Sequence, residues 1–219
     1  DPSLAPLALN GGTTRNHALQ LDSPARNTGD DALATDSTGA PLTNDQRGEG
    51  FARVAGTSVD IGAFENQTYI VSTEIDEFDT DYSDGDLSLR EALLLVDQDP
   101  YADVVEFDAA LSGLTIALNG TEVLVDTNVT IDGPGADQLT IDAGGLSRVF
   151  KVADGTTATI EGLTLTGGST TSFGGAILAQ GTIDLTIEES ELVGNTAVQG
   201  GAIAAIRGVS LTISGTTIA

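Results

Sequence analysis

The chain has 219 residues, with 33 acidic and 8 basic side chains and a formal net charge of −25 at pH 7. This balance argues against a nucleic-acid-binding or membrane-surface function, because phosphate backbones and anionic headgroups are bound by clustered cations. The absence of Cys excludes disulfides, Cys-based zinc sites and thiol nucleophiles. The absence of Met indicates a processed product or a segment of a longer protein, and the sequence has no apolar run long enough to span a bilayer.

Residues 1–65 are rich in Asn, Gly, Asp and Pro and carry no regular repeat. Alternating apolar residues predict one strand over Val59–Phe64, and the turn-forming residues elsewhere predict loops and short strands. Apolar residues are sparse apart from short clusters around Leu7 and Leu19. We therefore expect this segment to need a partner surface to pack against.

Two charged or titratable residues of this segment have structural interpretations. Arg47 is one of few cations, and we expect it to form a bidentate ion pair with Asp60 or Glu65 that holds the segment together. His17 is the only histidine, and we interpret it as a hydrogen-bonded structural residue. Without a second histidine or an evident Ser or Lys partner, nucleophilic catalysis has no support.

Residues 66–86 form an acidic junction, which is predicted to begin with a strand over Thr68–Ile75. Oxygen-bearing side chains at alternate positions before a glycine are typical of calcium loops. The candidate calcium ligands are Asp79, Asp81, Ser83, Asp84 and Asp86. Gly85 comes one residue late for such a loop, and Arg90 takes the place of the usual bidentate Glu. Two interpretations therefore stay open, a calcium site and a solvated acidic surface suited to a saline medium.

The clearest helix signal lies at about residues 88–97. Ser88 and Glu91 match a capping box, in which the N-cap hydroxyl and the carboxylate three residues later satisfy each other's backbone N–H groups. Apolar residues over Ala92–Val96 follow, and Asp99-Pro100 ends the segment. We expect this short helix to cover the apolar end of the strands that come after it.

Residues 87–219 contain a repeat of about 26 residues. Gly174-Gly175-Ala176-Ile177 recurs as Gly200-Gly201-Ala202-Ile203, a spacing of 26 residues. A second motif ends at Ile160, Ile187 and Ile213, with spacings of 27 and 26 residues. Periods of roughly 20 to 50 residues indicate solenoids, propellers or arrays, and the alternating apolar residues predict short strands. Together they predict an all-β chain folded as a right-handed parallel β-helix, with glycines permitting positive φ at its corners.

Coils with shorter spacing are predicted to begin before this repeat. Their strands are predicted over Val104–Phe107, Leu114–Leu118, Val123–Val125, Val129–Ile131, Leu139–Ile141 and Val149–Val152. The chain is thus divided into residues 1–65, an acidic junction over 66–86, and a capping helix with β-helix coils over 87–219.

The coils and the helix carry motifs of known families. The segment Ser190–Ile203 resembles the repeat of polymorphic outer-membrane-protein-like β-helices, with Asn195 in place and Leu192 instead of the usual Phe. The segment Asp84–Ala92 resembles the head motif of large bacterial surface proteins named for their Cys-Ser-Leu-Arg-Glu-Ala sequence. Leu87 stands where that Cys would be, so any role of the thiol is lost.

Residues 1–65 resemble the tail module of the same proteins, called choice-of-anchor Q, in pieces that include Thr43–Gly48 and Val59–Glu65. The resemblance implies secretion, an extracellular or cell-surface location, and a β-helix. In these relatives the tail module closes the solenoid at its C-terminal end, whereas here it precedes the head motif. The chain is therefore either one segment of a tandem array or a subunit whose N-terminal part completes the open end of a neighbour.

The order of the modules predicts a non-enzymatic structural subunit or repeat of an extracellular filament, matrix fibre or giant adhesin. The expected partners are other copies of the chain, joined head to tail by β-helix completion, and a polysaccharide or cell surface. The alternative is a carbohydrate-binding or polysaccharide-cleaving β-helix, for which Glu188, Glu189 and Glu191 offer clustered carboxylates. We interpret these carboxylates as solvated edge residues, and the aromatic residues are not spaced as a stacking platform.

Overall fold

The computed structural model describes residues 2–10, 12–19, 23–48, 51–55, 58–83, 85–97 and 103–219. The chain divides into two compact units. We call Asp1–Thr68 with Asp99–Val104 the N-terminal unit, and Tyr69–Gln98 with Val105–Ala219 the solenoid unit.

The N-terminal unit has little regular structure in its described residues. It contains a short 3₁₀ helix, Asp31–Leu33. Single antiparallel bridges join Leu4 to Leu19, Ala8 to Asn16, Thr35 to Pro41 and Asn44 to Ala52.

The strand predicted over Val59–Phe64 is wrong, because this stretch has no strand pairing. The carboxylate of Asp60 accepts the N–H groups of Asn27 at 2.6 Å and of Asn66 at 2.9 Å. Gly62 has a φ of +141°, which an extended L-residue does not adopt. Hydrogen bonds from side chain to backbone have replaced the ladder that the alternating pattern suggested.

The solenoid unit contains one α-helix, α1 (Leu89–Asp97), and the short 3₁₀ helix Ala109–Leu111 among its described residues. The strands of the described residues are, in chain order, β1 (Thr68–Val71), β2 (Asp103–Phe107), β3 (Leu114–Ala117), β4 (Val123–Val125), β5 (Val129–Asp132), β6 (Leu139–Asp142), β7 (Phe150–Val152), β8 (Thr157–Glu161), β9 (Thr164–Thr166), β10 (Ser169–Phe173), β11 (Ile177–Gln180), β12 (Asp184–Glu188), β13 (Glu191–Val193), β14 (Thr196–Gln199), β15 (Ile203–Ile206), β16 (Ser210–Ser214) and β17 (Thr217–Ile218).

These strands form a parallel β-helix. One sheet has the order β1-β2-β5-β8-β12-β16, a second β17-β13-β9-β6-β3, and a third β15-β11-β7-β4. Each coil visits the three sheets in the same order, and every strand pair from β3 onward is parallel. The predicted fold class is therefore confirmed. The strand predicted over Thr68–Ile75 is present but ends at Val71.

The core consists of inward side chains stacked one above another, one from each coil. Ile131, Ile160 and Ile187 form such a ladder in the first sheet, and all three are fully buried. Parallel strands lie about 4.8 Å apart, so in-register residues of like shape pack without gaps. The repeat of about 26 residues follows from this geometry, because each coil must return to the same register.

The helix α1 lies at the start of the solenoid, as predicted. Its buried residues Leu89, Ala92, Leu93 and Val96 belong to the same apolar core as the coils. The helix packs against β4, the edge strand of the third sheet. It has only nine residues. None of the helices in the described residues is long and apolar enough to cross a membrane.

Candidate assembly surface and neighbouring polar sites

The last coil exposes ladder positions that are buried in the coils before it. Leu211 and Ile213 pair in register with Leu185 and Ile187. Their exposed fractions are 36% and 41%, against 1% and 0% for their partners one coil earlier. Ile218 is likewise 49% exposed. Within the described residues, no strand pairs with the outer edges of β15, β16 and β17, so this end presents both apolar side chains and unpaired backbone groups.

The Gly-Gly pairs of the repeat have two separate physical causes. Gly174 and Gly200 both have a φ of +64°, a left-handed conformation that favours glycine. Gly175 has no such φ, but a Cβ there would lie 2.1 Å from the carbonyl oxygen of Gly201 in the next coil. The first glycine thus serves the turn, and the second allows the next coil to approach closely.

Gly201 is an exception to the second cause. A Cβ on Gly201 would meet only the carbonyl oxygen of Asn195, at 3.6 Å, which is an ordinary contact. The following coil fills the space above Gly175, whereas the equivalent space above Gly201 is open. The repeat thus keeps a glycine at this position although no described neighbour requires it.

Asn195, the other repeat residue singled out by sequence, joins two coils. Its Nδ2 donates to the carbonyl of Leu165 at 2.8 Å, and its Oδ1 accepts the N–H of Gly168 at 2.8 Å. A buried turn leaves backbone groups without partners, and the amide supplies both a donor and an acceptor to them. Its role in this structure is to tie adjacent turns together.

The N-terminal unit exposes many large apolar side chains. Those with at least two fifths of their surface accessible are Leu4, Leu7, Leu9, Leu33, Leu42, Val54 and Ile61. Its buried apolar residues are few: Ala18, Leu19, Ala25, Ala34, Val59, Phe64 and Val104.

Arg47 organises the buried part of the N-terminal unit. Its guanidinium lies between the rings of Phe51 and Phe64, 3.9 Å from each centroid. Its Nε forms an ion pair with Asp45 at 2.9 Å, and its Nη2 donates to the backbone carbonyl of Glu65. Arg47 thus pairs with Asp45 and contacts the backbone of Glu65, and the bidentate ion pair expected with Asp60 or Glu65 stays a prediction. Stacking between two rings adds cation–π attraction to the hydrogen bonds.

The carboxylate of Glu65 is paired with a different arginine. Arg53 Nη1 lies 3.0 Å from Glu65 Oε2, and the N–H groups of Ala55 and Asp60 donate to the same carboxylate at 2.9 and 2.8 Å. Burial nevertheless raises the pKa of Glu65 to about 7, with the hydrogen bonds and Arg53 opposing the shift. Burial also raises the pKa of Asp60. His17 Nδ1 lies 2.7 Å from the carbonyl oxygen of Ala5.

The residues of the capping box contact each other as their spacing suggested. The N–H of Glu91 donates to Ser88 Oγ at 3.2 Å, and the N–H of Ser88 donates to Glu91 Oε2 at 3.2 Å. Glu91 Oε1 also accepts the N–H groups of Asp79 and Thr80, each at 3.0 Å. Burial would raise the pKa of Glu91, but these hydrogen bonds, that of Ser88 first, lower it overall. One carboxylate thus anchors both the helix and the acidic loop.

Arg90 makes a second connection between loop and helix. Its guanidinium forms a bidentate ion pair with Asp76, at 2.9 and 3.0 Å, and its Nη1 donates to the carbonyl of Glu122. Asp76 Oδ2 also accepts the N–H of Asn119 at 2.8 Å. The sequence does not indicate this pair, because Asp76 and Arg90 are 14 residues apart and Asp76 belongs to an acidic run without a distinguishing pattern.

The candidate calcium ligands lie in the loop that Glu91 anchors. Asp79 Oδ1 accepts the N–H of Asp81 at 2.8 Å, and Asp81 Oδ1 accepts the N–H of Ser83 at 3.0 Å. Partial burial raises the pKa of Asp86, and the charges of Asp81, Asp79 and Glu91 raise it further. Asp84 lies outside the described residues. In the part of the chain that is described, no three acidic or imidazole side chains converge as a metal-binding group, and calcium binding stays a prediction.

Carboxylates also line up along the first sheet of the solenoid. Asp132, Glu161 and Glu188 occupy one register position on β5, β8 and β12. Burial raises the pKa of Glu161, and the neighbouring carboxylates of Asp132 and Glu188 raise it further. Glu188 accepts a hydrogen bond from Ser214 at 2.8 Å.

None of the known protein families, curated proteins or solved structures compared with the chain matches it.

Proposed function

We propose that this chain is a structural repeat of an extracellular filament, matrix fibre or adhesin. In this arrangement the exposed end of the last coil is completed by the N-terminal unit of a neighbouring copy, either docked or covalently joined. The observation that carries the proposal is the exposure of Leu211, Ile213 and Ile218 at ladder positions that are otherwise buried. A coil added to β15, β16 and β17 would bury these side chains and pair their backbone edges.

The energetic gain of such an addition is substantial. Fully burying a Leu or Ile side chain contributes about 1.5–3 kcal/mol, so covering three half-exposed side chains contributes about 3 kcal/mol. Pairing of the exposed strand edges adds hydrogen bonds on top of this. The open space above Gly201 supports the same idea, because that glycine has a steric function only when another coil lies on it.

The N-terminal unit of a neighbouring copy has the chemistry needed to cover the last coil. It offers exposed apolar side chains and short extended stretches with few regular hydrogen bonds of their own. The contact is heterologous, since one end of the chain meets the other end of its neighbour, and such contacts propagate filaments unless they close into rings. The net charge of −25 keeps the lateral surfaces mutually repulsive, which favours growth along one axis.

The extracellular location is part of the proposal. It is supported by the resemblance of the head, tail and repeat motifs to secreted surface proteins. A strongly acidic surface stays soluble in a saline medium.

The test is assembly of the 219-residue chain, followed by negative-stain microscopy and sedimentation velocity over a range of protein concentrations. We expect filaments or concentration-dependent oligomers, which Ile213→Lys abolishes. Leu124→Lys is the matched control, because Leu124 is 44% exposed but lies on β4, away from the last coil. Runs with calcium and with chelator test the calcium prediction separately. Monomers at all concentrations, or equal loss of assembly in both variants, would contradict docking between copies.

A further inference from the structure

A surface groove lies beside the last two coils of the solenoid unit, with a volume of about 400 Å³. Its lining includes Phe173, Gln180, Gln199, Ile206 and Arg207. Phe173 and Gln199 face each other in register on β10 and β14, a two-stranded sheet that only these two coils carry among the described residues. Gln180 and Ile206 are likewise paired, on β11 and β15.

Arg207 occupies a costly backbone position in this groove. Its φ is +66°, and the register that pairs Gln180 with Ile206 places Arg207 opposite Gly181 of the preceding coil. A side chain in the left-handed region costs about 1 kcal/mol, which a glycine avoids. Residues kept in such conformations concentrate at functional sites.

The polar groups of the groove are not used within the chain. Arg207 is exposed, and the contacts of the described residues include no ion pair or hydrogen bond from its guanidinium. The side-chain amides of Gln180 and Gln199 are exposed and equally without a hydrogen bond among those contacts.

We propose that this groove binds an acidic saccharide. Phe173, 36% exposed, offers a ring face for the apolar side of a sugar. The two glutamine amides can donate to and accept from sugar hydroxyls, and Arg207 matches a carboxylate by bidentate hydrogen bonds. The volume of about 400 Å³ lies within the size range of small-ligand sites. The net charge opposes long polyanions, so the preferred ligand is a short uronate-containing saccharide.

Isothermal titration of the 219-residue chain with trigalacturonate tests the proposal. The solution contains about 0.15 M salt, which screens the net charge beyond about 8 Å. We expect saturable binding that weakens at least tenfold for the methyl-esterified trisaccharide, in which the carboxylates are neutral. We expect the same loss for Arg207→Gln and for Phe173→Ala.

Two further variants separate binding from folding and from charge. Arg15→Gln removes the same charge from an exposed arginine of the N-terminal unit and should leave affinity within twofold of the original. Arg207→Gly relieves the backbone conformation, so it should lose binding while thermal stability is unchanged or raised. The proposal is overturned if no saturable binding is seen, if Arg15→Gln and Arg207→Gln lose affinity equally, or if a short Glu-rich peptide binds as tightly as trigalacturonate.

Discussion

Gly175 and Gly201 are the second glycines of the two Gly-Gly pairs, and substitution by Ala is expected to change the stability in opposite directions at these two positions. In Gly175→Ala, the new Cβ would lie 2.1 Å from the Gly201 carbonyl oxygen and 2.7 Å from the Thr196 nitrogen. Both are backbone atoms, so no side-chain rotation relieves the overlap and the coils must separate. Overpacking of this kind costs about 1–3 kcal/mol, which lowers the melting temperature by roughly 4–8 °C for a cost of about 2 kcal/mol.

In Gly201→Ala the new Cβ would lie 3.6 Å from its nearest neighbour, the carbonyl oxygen of Asn195, and φ is not positive, so the substitution meets no obstacle in the isolated chain. Reducing the freedom of the unfolded chain then stabilises it by about 0.4–1 kcal/mol. Thermal unfolding followed by circular dichroism at a dilute, monomeric concentration measures both changes. Equal destabilisation of Gly201→Ala and Gly175→Ala under these conditions would show that the close approach of the next coil is not what requires a glycine at position 175. In concentrated samples, Gly201→Ala should instead weaken assembly, because the new methyl group meets the added coil.

Two other substitutions test the polar framework of the solenoid unit. Ser88→Ala removes the acceptor of the Glu91 N–H and should cost about 1 kcal/mol, a decrease of roughly 2–4 °C in melting temperature. Ser172→Ala, at an exposed position, should change it little, and an equal loss in both would contradict the capping role. Glu161→Gln should raise the melting temperature at pH 7, because Glu161 lies in register between two carboxylates. That gain should disappear below about pH 4.5, where wild-type Glu161 is protonated in both states, and a gain independent of pH would exclude charge repulsion as its cause.

The fold was predictable because the solenoid repeats one physical problem in every coil. Each coil needs inward apolar residues in register and a tight corner, so the Ile spacing and the Gly-Gly pairs appear in the sequence at the same period. The capping helix was predictable for a local reason, since Ser88 and Glu91 act within one turn. These features depend on neighbours in the chain or on a strict period.

The parts that were not predicted depend on long-range contacts without a period. The two-stranded sheet of β10 and β14 comes from stretches with no apolar alternation, of which only β10 is rich in Ser and Thr. The ion pairs of Arg53 with Glu65 and of Arg90 with Asp76 join residues that only the folded chain brings together. In the N-terminal unit, Asp60 looked like part of a strand, but its carboxylate binds two backbone N–H groups instead.

The pH dependence of the N-terminal unit follows from Glu65. Its pKa is raised from 4.5 to about 7 because the carboxyl is buried. Between these values the folded state holds a proton that the unfolded state has lost, so stability falls as pH rises. The contribution of protonated Glu65 to the free energy of unfolding is complete below pH 4.5 and is lost as the pH rises through about 7. At roughly 1.4 kcal/mol per pH unit, the loss totals about 3 kcal/mol.

Hydrogen exchange of the Ala55 and Asp60 amides, the donors to Glu65, reports this change locally. After correction for the intrinsic pH dependence of exchange, we expect protection to be greatest near pH 4.5 and to decline toward pH 7. In Glu65→Gln the decline over this window should be largely absent, because the titrating group is gone, leaving only the smaller contribution of Asp60, whose pKa is also raised by burial. If protection instead increased with pH in the original chain, Arg53 and the two N–H groups would outweigh the effect of burial on the pKa of Glu65. The ionised carboxylate would then stabilise the fold at neutral pH.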